Sequence, residues 1–369
     1  MDQAPLLPPT EAPRRRIRKR DLLVPVGLSL AAVGVILWVT YEPGAFTAVR
    51  VTFNPWIFLL AIASLAVQIG AGGLRLRHVA RGALTVKGGL RAQLTWDFMS
   101  AVTPSAMGGA PFAAFFIARE NRVPYGQVTA LMLFTMLMDQ LWFATIIVTL
   151  YISAVWLPVF PTGLGAVGIG TIGAYLGGML IYIAFFAYAT LVRPEILEGL
   201  ANRIVRFKWL RRFEPAVREE TRKLRQHATV LRGQPAMFYL KGAALTGLAW
   251  LGRYGVVFFV ALSFWREFRH LLFWLRTAGL WLAGLAMPTP GGSGGIEALY
   301  VLYLAPLLPD GYGGPALLAW RAVAYYGVLV LGLFVAGSAV RALLAGETPP
   351  PRLSHEPPPT EPTPTEPTP

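Results

Sequence analysis

The chain has 369 residues, 55% of them hydrophobic and only 14% charged, with a mean hydropathy of +0.52, which excludes a soluble protein that hides its core and points to a polytopic membrane protein. The absence of cysteine excludes disulfides and thiolate chemistry, the four histidines (His78, His227, His270, His355) are too scattered for a zinc site, and no cofactor is expected. The net charge of +14 lies mainly between apolar runs, so its expected partner is the anionic headgroup layer of a membrane, not nucleic acid.

Residues 1–13 are proline-rich and read as disordered; with the basic run Arg14-Arg-Arg-Ile-Arg-Lys-Arg20 they make a cytoplasmic N-terminus, 1–20. The first span follows at 21–41, and because it is long enough to cross, no cleavable signal peptide is expected. A second span, 55–74, ends in Arg75, Arg77, His78, Arg81, Lys87 and Arg91, which belong on the same side as the N-terminus. Residues 90–118 form two half-length apolar pieces around Ala101-Val-Thr-Pro-Ser-Ala-Met-Gly-Gly-Ala-Pro111, which predicts a re-entrant hairpin entering from the cytoplasm. Spans at 127–157 and 166–192 follow. Segment 193–232 carries eleven Lys and Arg residues at amphipathic-helix spacing and is expected to lie along the cytoplasmic surface, with docking to a partner protein as the alternative.

After a span at 235–262, residues 271–307 are again two half-length pieces, broken at Met287-Pro-Thr-Pro-Gly-Gly-Ser-Gly-Gly-Ile-Glu297. Two prolines and four glycines interrupt the helical hydrogen-bond ladder there, and such backbone is tolerated at membrane depth only where protein or a water-filled cavity shelters it. The last span is 315–344, and the Pro-, Thr- and Glu-rich tail 346–369 cannot build a core. With both termini inside, Arg50, Arg266, Arg269 and Arg276 fall on or near the outer side, Arg253 and Arg321 fall within spans, and the other 27 of the 33 Lys and Arg residues are cytoplasmic. The expected fold is an all-α polytopic membrane protein of six transmembrane helices and two oppositely entering re-entrant hairpins, an inverted repeat over 21–345.

Intramembrane charges each require a reason, since insertion costs roughly 2.5 to 3.5 kcal/mol. They are Asp97, Asp139, Arg253, Glu297 and Arg321. Gly291, Gly292, Gly294 and Gly295, with Pro290, expose backbone amides at a half-helix N-terminus, which suits an anion such as phosphate. Arg253 and Arg321 are candidate bidentate holders of that phosphate; the alternative is that they only neutralise Glu297, Asp97 or Asp139. Glu297 has an alternative role as a cap for the amides or an arginine partner. Arg75 and Arg77 are each either a headgroup contact or a topology marker, and aromatic residues such as Trp281 and Tyr325 read as packing.

Thr103-Pro-Ser-Ala-Met-Gly-Gly109 with Arg119 downstream, and Pro288-Thr-Pro-Gly-Gly-Ser-Gly-Gly-Ile-Glu297 with Arg321 in the last span, resemble the two signatures of the flippase-like transmembrane domain of lysylphosphatidylglycerol synthases, the N-terminal module of multiple peptide resistance factors. The resemblance implies roles for Pro104, Gly108, Gly109, Arg119, Pro290, Gly291, Gly292, Glu297 and Arg321, and movement of a lipid between leaflets. It also implies a stand-alone form without the synthase module. Ala110 after Gly109, and Thr135 and Met136 before Asp139, depart from the family pattern, so the cargo expected is a phospholipid or polyprenyl phosphate rather than specifically a lysyl-lipid.

The expected function is thus a lipid translocator of a bacterial inner membrane working by alternating access, with a homo-oligomer or a lipid-synthesis enzyme encoded nearby as further partners. The alternatives are a membrane-embedded glycosyltransferase, which would need a general base and a carboxylate pair, and an accessory subunit recruiting partners through 193–232.

Overall fold

In a computed structural model of the chain, the structure describes residues 50–81, 83–102, 125–161, 165–191, 233–287 and 289–335, with isolated positions elsewhere. The expected first span, the first break with Pro104, Gly108, Gly109 and Arg119, the segment 193–232 and both termini lie outside the described residues.

The described residues are helical, and four helices are long and apolar enough to cross a membrane. In chain order the helices are α1 (Pro55–Val79), α2 (Val86–Val102), α3 (Tyr125–Ser153), α4 (Gly165–Leu191), α5 (Ala236–Phe264), α6 (His270–Gly284), α7 (Gly295–Tyr303) and α8 (Gly313–Val335). The four long candidates are α1, α5, α8 and the Leu131–Ser153 part of α3, while Gly170–Phe185 within α4 is a shorter apolar stretch. α2 begins four residues before the expected half-helix; at 17 residues it reaches about 25 Å, short of a hydrocarbon core of roughly 30 Å. α6 and α7, with 15 and 9 residues, are shorter still, and between them runs the Met287–Glu297 break.

α1 starts cleanly because Pro55 occupies its first turn and the Asn54 side chain accepts from the amides of Trp56 and Ile57. The Asn54 N–H donates to the Ser263 carbonyl at 2.8 Å, tying the start of α1 to the end of α5 and making the two antiparallel. Glycine sets their spacing: a Cβ at Gly252 would stand 2.7 Å from the Gln68 nitrogen and 2.8 Å from the Ser64 carbonyl oxygen. Such close backbone approach is the usual means of helix association where lipid competes equally for apolar side chains. α2 crosses α1 the same way, with Gly73 against Leu90, and its last turns reach α8, where Phe98 fills the space beside Gly332.

Three apolar clusters form the interior. One joins the end of α1 to α2 and α3 through Leu76, Phe98 and Leu137. A second joins α1 and α5 to α6, α7 and α8 through Val256, Phe273, Tyr300 and Trp320. The third packs α3 and α4 on α6 through Ile147, Leu176 and Leu272.

Candidate functional site

The break is built on glycine. Gly291, Gly292 and Gly294 have φ of 58°, 68° and 85°, a left-handed conformation that costs any residue with a Cβ, and a short 3-10 turn, Pro290–Gly292, leads to the N-terminus of α7. Gly291 also has no room: a Cβ there would meet the Tyr325 ring at 2.5 Å and the Ala101 carbonyl oxygen at 3.0 Å. The end of α2 therefore touches the second break, and the Tyr325 hydroxyl donates to the Ala101 carbonyl at 3.4 Å.

Glu297 takes both roles open to a carboxylate at this point. Its Oε2 accepts from the Gly294 N–H at 2.8 Å, the backward half of a capping box, and its Oε1 accepts from Arg321 Nε at 2.9 Å. The pair is sealed, with side-chain exposures of 4% for Arg321 and 0% for Glu297. Arg321 extends further to the Ser293 hydroxyl at 3.5 Å and lies 4.0 Å over the Tyr325 ring. The helix accommodates this with a π turn, Ala322–Tyr326, directly after Arg321, a local widening that recurs at functional sites.

Two further arginine–carboxylate pairs lie along α1, α2, α3 and α5. Arg75 donates to Asp139 and to Thr246, while the Trp250 indole N–H donates to the same Asp139 oxygen at 2.8 Å. Arg253 meets Asp97 at 3.4 Å, and Gln93 donates to the other Asp97 oxygen at 3.1 Å. The Arg253 guanidinium sits in the corner of two edge-on indoles, 5.0 Å from the centroids of both Trp250 and Trp281, with a cation–π contact to each. At 26% and 13% exposure, this is the most open of the three pairs.

The structure thus gathers Asp97, Arg253, Arg75 and Asp139 into one polar belt through Trp250, and Glu297, Arg321 and the glycines into the break. The backbone of Pro290 opens the 3-10 turn. Trp281 and Tyr325, expected as packing, each cover an arginine. Arg276, expected on or near the outer side, is buried: it donates to the Pro158 carbonyl at 3.1 and 2.8 Å and to the Tyr303 carbonyl at 3.2 Å, at the C-terminal end of α7. A cation there complements the helix dipole, and its place inside the otherwise apolar 270–284 run was the available sequence signal.

Four buried polar groups around the break have no partner among the described residues: the indole N–H groups of Trp281 and Trp320, the Tyr300 hydroxyl and the Thr289 hydroxyl. Tyr300 and Trp320 stack at 5.5 Å, and Trp281 meets Trp320 edge-on at 6.0 Å, next to Arg253.

The family model described as the lysylphosphatidylglycerol synthase TM region matches residues 24–332. No curated protein and no solved structure is significantly similar to the chain. The match covers both breaks and all three arginine–carboxylate pairs, and with the long apolar helices it makes this a multi-pass membrane protein with a lipid-related role. The chain belongs to the lysylphosphatidylglycerol synthase transmembrane-region family.

Proposed function

We propose that the chain is a lipid translocator of a bacterial inner membrane, with both termini in the cytoplasm, carrying a phospholipid or polyprenyl-phosphate-type lipid between leaflets. The observation that carries this reading is the Arg253–Asp97 pair: it is long at 3.4 Å, partly open, and pre-oriented by two indoles. An unpaired charge inside a membrane protein is costly, whereas exchanging one anionic partner for another keeps the arginine neutralised throughout. A lipid phosphate can therefore take the place of Asp97 on Arg253, using the bidentate geometry of a guanidinium. The tighter Arg321–Glu297 pair, with the Gly294 amide, offers a second anion position that becomes available when the break moves.

Proteoliposomes containing a fluorescent phospholipid or undecaprenyl phosphate test the reading. The expected result is translocation of at least one of them by the wild type and its loss in Arg253→Gln. Folded wild-type protein that moves neither overturns it.

A further inference from the structure

Translocation through Arg253 makes no use of the Arg77 end of α1. There Leu74, Arg77, His78 and Arg81 follow the i, i+3, i+4, i+7 spacing of one helix face, and with Leu245 of α5 they line an open cavity of about 410 Å³. His78 forms a fixed wall: its Nε2–H donates to the Phe238 carbonyl at 2.9 Å, and its ring stacks on Phe238 at 4.6 Å. Arg77 and Arg81 are exposed, and neither meets a carboxylate among the described residues, whereas Arg75, two positions earlier, is buried and paired with Asp139. Among the described residues, two guanidinium groups without a carboxylate partner thus sit beside two leucines, one of them (Leu74) exposed.

The end of α1 is also unusual. Arg81 follows the C-cap Ala80 with φ of 50°, the left-handed position that helices normally give to glycine, although Gly82 comes next in the sequence. An arginine is held in the cavity at the expense of the easier backbone choice.

We propose that this cavity binds an anionic phospholipid, its phosphate bridging Arg77 and Arg81 and one acyl chain lying over Leu74 and Leu245 between α1 and α5. Phosphate supplies the oxygens that two guanidinium groups require, and the leucines favour an anion with an attached chain over a free ion. The site is separate from the Arg253–Asp97 pair and does not depend on transport.

Native mass spectrometry of delipidated protein in neutral detergent, titrated with phosphatidylglycerol or phosphatidylcholine, is the test. Wild type is expected to prefer phosphatidylglycerol. Arg77→Gln and Arg81→Gly should each weaken that binding about tenfold, the loss expected for one charge-assisted contact. Arg81→Gly also relieves the left-handed backbone, so its melting temperature should not fall, which separates lost binding from lost folding. Leu245→Trp, filling the cavity with the charges intact, should weaken binding as well. The exposed pair Arg266→Gln/Arg269→Gln, in the loop after α5, should leave it unchanged. Wild-type affinity in Arg77→Gln and Arg81→Gly, equal binding of phosphatidylcholine, equal loss in Arg266→Gln/Arg269→Gln, or displacement of the lipid by equimolar inorganic phosphate would each overturn the proposal. Translocation is not read in this experiment, so its failure is distinguishable from failure of the translocator reading.

Discussion

Burial decides what each intramembrane charge is worth. Removing one member of the sealed Arg321–Glu297 pair leaves the other buried without compensation, so Arg321→Ala should destabilise the protein by about 3–5 kcal/mol, and adding Glu297→Gln should recover much of that loss. Arg253→Gln removes a longer, more exposed contact but leaves Asp97 with Gln93 alone, so it should cost less than Arg321→Ala, about 1–3 kcal/mol, yet abolish translocation. Denaturation of the variants in detergent, alongside the liposome assay, checks the contrast; equal destabilisation by the two changes would contradict it. All four residues stand out in the sequence because they interrupt apolar runs, but their pairing does not, since Arg253 and Asp97 are 156 residues apart. Arg75 was harder to read: followed by Arg77 and Arg81, it looks like one more positive-inside residue, and only the packing of α1 against α3 and α5 reveals it as the partner of Asp139.

The break between α6 and α7 was legible as an element, because proline and glycine leave a physical signature in any apolar run. Its interior was not, because the identity of the group that shelters each glycine depends on distant chain. Gly291 and Gly294 separate the two contributions. Alanine at either must adopt positive φ, at a cost of about 1–2 kcal/mol at Gly291, which lies in the left-handed well, and about 1–3 kcal/mol at Gly294, whose φ of 85° and ψ of −51° fall outside it. At Gly294 nothing lies within 4 Å of the new Cβ, so the cost should stop there. At Gly291 the Cβ drives into Tyr325 and the end of α2, so Gly291→Ala should lose about 2 kcal/mol beyond Gly294→Ala. It should also displace the ring that covers Arg321. Thermal unfolding of the two variants in detergent gives the comparison, and equal melting temperatures would mean that Tyr325 yields without resistance.

At the scale of the whole molecule, described helices of the two expected halves pack against each other. α1, from the first half, packs along α5 of the second more extensively than any other pair of described helices, and glycine contacts lock them. α2, also from the first half, reaches α8 and the second break only through its last turns. An inverted repeat suggests rocking of halves, but for a translocator this packing predicts that α1 and α5 act as a common scaffold and that the α2–α8 contact is the joint that opens. The chain contains no cysteine, so paired cysteines test this without background. Ser64→Cys/Gly255→Cys spans α1 and α5, where a Cβ on Gly255 lies 3.2 Å from that of Ser64, close to disulfide geometry. Phe98→Cys/Gly332→Cys spans α2 and α8, where the corresponding separation is 2.5 Å, so the two helices must ease apart by about 1 Å to accept the bond. Oxidation of the first pair should leave lipid translocation intact, whereas oxidation of the second should stop it and reduction restore it. Transport that survives the α2–α8 bond would place the moving boundary elsewhere, and transport that fails with the α1–α5 bond would mean that the halves rock after all.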